Sequence, residues 1–105
     1  MSDPKPFRIG FTQKADFQLT VLQRRALIFG ATGLAASLKV MMDRLRSNAR
    51  DLGEPIRNLK GMKMVIRVAF QDRIRFNYGV HETEQEVIVN GVEAEPGHPL
   101  HRQKE

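Results

Sequence analysis

The chain has 105 residues, a net charge of +5 and no cysteine. That is one domain's length, enough to bury a core without staples, and it excludes disulfides and thiolate metal centres. Lack of cysteine fits a reducing compartment, the N-terminus MSDPKPFRIG has no apolar signal core, and the longest weakly polar run, Ala26 to Leu38, is thirteen residues and too short to span a bilayer. The expected setting is a soluble, cytoplasmic protein without a membrane partner.

The charge is unevenly placed. Residues 1–38 carry five basic and two acidic groups, residues 39–75 carry ten basic groups against Asp43, Asp51, Glu54 and Asp72, and residues 76–105 carry two basic against six acidic. A basic middle beside an acidic end points to a surface that faces a polyanion.

In chain order, Phe7, Ile9 and Phe11 alternate with Arg8 and Gly10 after Pro4 and Pro6, the pattern of a short strand. Thr12 is placed to cap a helix whose apolar face is Ala15, Leu19, Leu22, Ala26 and Phe29 and which ends near Gly30. Thr32 is placed to cap a second helix, with Leu34, Leu38, Met41, Leu45, Ala49 and Leu52 on its buried stripe and Gly53 and Pro55 closing it. Lys39, Arg44, Arg46 and Arg50 ride on its polar sides. The stretch ALIFGATGLAASLKV imitates a dinucleotide-binding glycine turn. Its flanks keep a helical spacing, however, and the third glycine is replaced by Ala36, so no cofactor is expected.

The organising stretch is Leu59 to His81. Met64, Ile66, Val68 and Phe70 alternate with Val65, Arg67 and Ala69, and Ile74, Phe76, Tyr78 and Val80 with Arg73, Arg75, Asn77 and Gly79, which predicts a half-buried hairpin. Placing both apolar sets on one face requires a three-residue loop, Gln71-Asp72-Arg73. Phe70 then pairs with Ile74, Val68 with Phe76, Ile66 with Tyr78 and Met64 with Val80. On the other face Arg67 and Arg75 become diagonal neighbours at roughly 7 to 8 Å, able to converge on one phosphate past the small Ala69. The same pattern also describes arginines that merely solvate a sheet face.

A last strand is expected over Gln85 to Val92, and residues 1–6 and 93–105 read as tails, the second either frayed or laid across the sheet. His81, His98 and His101 lack the spacing of a metal site, and Glu82, Glu84 and Glu86 alternate toward solvent. The expected architecture is an α+β domain in the order β-α-α-β-β-β, a small, mostly antiparallel sheet packed on a helical hairpin, over residues 1–105.

With that order and the segments F-R-I-G-F-T-x-K-A, Leu59-Lys60-Gly61-Met62 and Arg75-x-x-Tyr78-x-Val80, the chain resembles the RelE/ParE superfamily of bacterial type II toxin–antitoxin systems. The resemblance implies a toxin neutralised by a cognate antitoxin. RelE-like members are endoribonucleases that cleave mRNA on the ribosome; ParE-like members inhibit DNA gyrase without catalysis; a non-toxic, partner-binding relative is a third reading. On the RelE reading, which the resemblance favours, Arg75 falls on the phosphate-stabilising arginine, Arg67 on a lysine of the preceding strand, and His101, failing which His98, near the C-terminal proton-transfer residue. Lys39, Arg46, Arg50, Lys60, Lys63 and Arg73 would then contact RNA. Fixed guanidinium groups stabilise charge gathering on phosphate oxygens, and imidazole moves protons near neutral pH. Two positions depart from the pattern. Ala69 stands where a second lysine is usual, and Glu95 near a further arginine, where it would repel the phosphate.

Overall fold

The computed structural model describes residues 6–30, 33–96, 98 and 100. The order is β1 (Arg8–Phe11), α1 (Gln13–Phe29), α2 (Leu34–Asn48), β2 (Glu54–Leu59), a 3₁₀ turn (Lys60–Met62), β3 (Met64–Gln71), β4 (Ile74–His81) and β5 (Glu86–Ala94). The strands form one sheet in the order β1-β5-β4-β3-β2, with β1 parallel to β5 and every other pair antiparallel. The α+β architecture is as expected, with one strand more than the expected four.

Helix α1 begins where its cap places it. The Thr12 hydroxyl accepts from the Ala15 amide at 3.1 Å, which satisfies one of the four amides that a helix start leaves without a partner. The helix ends at Gly30, whose φ of 68° turns the chain left-handed while its amide donates to the Ala26 carbonyl. Helix α2 starts at Gly33 without a side-chain cap, and Thr32, expected there, lies outside the described residues. It also ends at Asn48, one turn earlier than expected, although Ala49 and Leu52 are still buried.

The core lies between the helices and one face of the sheet. It is built from Leu22, Leu34, Met41 and Leu45 on the helices and Ile74, Phe76, Tyr78, Val80, Val87, Val89 and Val92 on the strands. Strand β5 runs to Ala94, two residues beyond the expected end. After it the Glu95 amide donates to the Arg73 carbonyl at 2.8 Å, and Leu100 is buried with its carbonyl accepting from Arg25 at 3.2 Å. Of the segment from residue 93, the described residues are thus held against the fold rather than frayed, the second of the two expected alternatives.

The missed strand is β2. Five of its six residues are exposed and it contains Pro55, so neither alternation nor composition marks it. Proline is tolerated there because β2 is the outermost strand, and the pairing shifts register between Pro55 and Arg57.

The main correction is the register of the β3–β4 hairpin. Gln71 pairs with Ile74, leaving a two-residue turn of Asp72 and Arg73, both left-handed at φ 51° and 65°. Two positive φ values in a two-residue turn match the twist of the flanking strands. Neither residue is glycine, and the strain is offset by bonds to the Asp72 carboxylate, from the Ser37 hydroxyl at 2.7 Å and the Gln71 amide at 3.1 Å. Those bonds hold the Asp72 carboxyl below the usual aspartate range, the Ser37 hydroxyl being the main cause. The expected three-residue loop is thus one residue too long, and a slip of one residue exchanges the faces of a whole strand.

Candidate functional site

The observed register separates the two arginines expected to act together. Arg67 pairs with Tyr78, and Arg75 with Phe70, so Arg67 lies on the helix side of the sheet and Arg75 on the open side. They do not converge on one phosphate.

Arg67 is engaged within the fold. Its Nε donates to the Leu52 carbonyl at 2.8 Å and its Nη2 to the Gly53 carbonyl at 3.0 Å. The Tyr78 hydroxyl reaches the same corner, within 3.1 Å of the Ala49 carbonyl and 2.5 Å of that of Leu52. Together the two side chains take up carbonyls that the end of α2 leaves open. Tyr78 is on the core face, as its parity predicts, though opposite Arg67 rather than Ile66. Burial pushes its phenol pKa above the usual value of 10.0, with the Arg67 guanidinium pulling the other way.

Because the folded phenol titrates above the unfolded one, this contribution to stability is complete below pH 10 and is lost as pH rises through the elevated value. Tyr78 is the only tyrosine and there is no tryptophan, so absorbance at 295 nm reports it alone. The expected result is a tyrosinate transition displaced above 10.0 that coincides with loss of secondary structure by circular dichroism. A transition at the free-tyrosine value in a still-folded chain would contradict the buried hydroxyl.

Arg75 is exposed, with its Nε donating to the Asn77 side-chain carbonyl at 3.2 Å. Its cross-strand neighbours are Phe70 on β3 and Glu93 on β5. The open face around it is largely apolar. Met64, Ile66, Val68 and Phe70 all project there, Met64 and Ile66 lying against Gly79, and Ile88 continues the surface on β5. A carboxylate and a phenyl ring beside Arg75 do not reinforce its charge.

The remaining sequence candidates are dispersed. Lys39 is exposed on α2, and Arg46 pairs with Asp43 at 3.4 Å. Lys60 and Lys63 are exposed at one end of β3, while Arg73 is exposed in the turn at the other, roughly 25 Å away for an eight-residue strand. Arg50 is a clamp within the fold. Its guanidinium lies 4.9 Å from the Phe7 ring centroid and donates to the Gln85 side chain at 2.6 Å, the His81 carbonyl at 3.2 Å and the Glu84 carbonyl at 2.8 Å. It thereby ties the β4–β5 connection to α2 and the first strand. His98 Nδ1 accepts from the Leu100 amide at 2.9 Å, and His101 lies outside the described residues.

Sequence reasoning missed the structural roles of Arg50 and Arg67 because a guanidinium bonded to carbonyls and one facing solvent have the same local pattern. It also missed the exposed end of α1, where Leu27, Ile28 and Phe29 are 84%, 75% and 70% exposed. Three consecutive apolar residues before a glycine would have been the signal. Among the described residues no group of three His, Cys, Asp or Glu side chains is placed to hold a metal, and no helix is long and apolar enough to cross a membrane.

No protein-family model and no curated protein sequence matches the chain. Solved structures do. A chain of the toxin–antitoxin complex RelBE2 from Mycobacterium tuberculosis is 21% identical with a TM-score of 0.62, over 88% of this chain and 94% of that one. A chain of the chromosomal ParDE toxin–antitoxin system from P. aeruginosa is 15% identical with a TM-score of 0.54, over 85% of this chain and 96% of that one. Two helices on one face of a five-stranded, mostly antiparallel sheet, superposable on both over most of their length, give this chain the RelE/ParE-like fold.

Proposed function

We propose that the protein is the toxin of a type II toxin–antitoxin pair, neutralised by a cognate antitoxin, and that it acts by binding its target, as ParE-type members do, rather than by cleaving RNA. Fold similarity to chains of two toxin–antitoxin systems supports the class, and one observation supports the branch: Arg67 and Arg75 stand on opposite faces of the sheet. Phosphoryl transfer needs converging positive charge at the scissile phosphate. Here the open face offers Arg75 alone on β4, with Glu93 beside it and an apolar row on β3. The target implied by the ParE-type reading is DNA gyrase; mRNA and the ribosome belong to the nuclease reading.

The test is to induce the protein in a bacterial host and follow labelled thymidine and methionine incorporation over the first minutes, with primer extension on an abundant message. Thymidine incorporation is expected to fall first, with messages intact. New cuts inside translated codons, lost in a folded Arg75→Ala variant, would overturn the binding reading in favour of ribosome-dependent cleavage.

A further inference from the structure

On the helix side of the hairpin, away from the open face, Arg50, Val65, Arg67, Val80, His81 and Glu82 line a cavity of about 240 Å³. Val65 and Val80 are a cross-strand pair and make an apolar floor. Arg67 stands two residues along β3 from Val65, on the same face, and Arg50 reaches over from beyond the end of α2.

Both guanidinium groups donate only to neutral acceptors, carbonyl oxygens and the Gln85 amide, and neither is in an ion pair among the described residues. Arg50 Nε is buried without an acceptor. A buried N–H in that state destabilises the fold until an acceptor is supplied. Two uncompensated positive charges therefore border one small cavity, opposed by the single carboxylate of the exposed Glu82 at its mouth.

We propose that this cavity is an anion site for a phosphate group, either inorganic phosphate or a small phosphate monoester. Phosphate carries a charge between one and two at neutral pH and several acceptor oxygens, which suits two guanidinium groups better than one carboxylate does. The site is independent of the proposed toxin function, since it lies on the opposite side of the sheet from Arg75.

The experiment is a titration of the isotope-labelled full chain with inorganic phosphate, at ionic strength held constant with chloride, following the amides of Val65, Val80 and His81. Saturable shifts are expected, with binding about tenfold tighter than acetate. Removing the opposing charge in Glu82→Gln tightens phosphate binding by roughly two- to fivefold, and Arg67→Gln weakens it by about tenfold or more. Competition by glycerol phosphate identifies a monoester site; phosphate binding without competition identifies a site for the free ion. Non-saturating shifts, equal affinity for acetate, or an affinity unchanged in Glu82→Gln would overturn the proposal. That last comparison stands even if Arg67→Gln fails to fold.

Discussion

Gly53→Ala is expected to destabilise the protein by roughly 3 to 5 kcal/mol, the sum of a strained left-handed backbone and a forced overlap in a packed region. Gly53 has φ 67°, and a Cβ built on it falls 2.1 Å from the Val68 carbonyl oxygen and 2.8 Å from its carbon. Both obstacles are backbone, in the middle of a strand paired on both sides, so neither can rotate away. The chain must turn here because Leu52 closes the core below α2 while Glu54 already pairs with Val68 at the sheet edge. A domain of this size has about 5 to 15 kcal/mol of total stability, so the variant should be largely unfolded in mild denaturant. Urea unfolding followed by circular dichroism measures it. A loss below about 1 kcal/mol would mean that the corner can relax, contrary to the contacts at Val68.

The second large effect separates the two arginines. Arg67→Met should lower stability by about 2 to 4 kcal/mol, because it leaves the Gly53 carbonyl without its donor and removes one of two donors to that of Leu52. Arg75→Met should change stability by no more than about 0.5 kcal/mol, since Arg75 is exposed and bonds only to the neighbouring Asn77 side chain. The contrast matters for reading phenotypes. Loss of activity in Arg67→Met would report unfolding, whereas loss in Arg75→Met would report a function of the open face. Equal stability of the two variants, measured by denaturant titration, would contradict the placement of Arg67 against the α2 corner.

The helices were legible because their signals are local. Thr12, Gly30 and the spacing of Ala15, Leu22 and Ala26 fix the first one without reference to anything distant. Strand identity was legible for the same reason, since Phe76, Tyr78 and Val80 alternate cleanly on β4. Register was not. Strand β3 carries apolar residues on both faces, Val65 and Ala69 toward the helices and Met64, Ile66, Val68 and Phe70 away from them. Parity then favours the larger set, and Arg67 is assigned to solvent when it is anchored at the core margin. The information that decides the matter is the Asp72-Arg73 turn with its Ser37 anchor, a residue 35 positions away. Strand β2 was illegible because an edge strand with exposed side chains has no buried face to announce it.

The candidate site was less legible than the fold. Arg75 was correctly read as exposed, but its expected partner is turned inward, and Arg50, read as riding on a polar side of α2, braces the fold through neutral acceptors. In both cases the deciding contacts are backbone carbonyls, which every residue has and no sequence pattern displays.

The parallel pairing of β1 with β5 joins residues 78 positions apart, Arg8 with Glu86 and Phe11 with Val89. Strand β1 emerges first during synthesis yet has no other partner in the sheet, because its one neighbour is the last strand made. Contacts so distant along the chain must wait for loop closure, and folding is slowed accordingly. The sheet therefore cannot close while the chain is being translated until residues through 89 have emerged. Any surface that depends on the closed sheet is therefore completed only once β5 has emerged, which leaves an interval during synthesis in which a binding partner can meet the chain before the sheet closes.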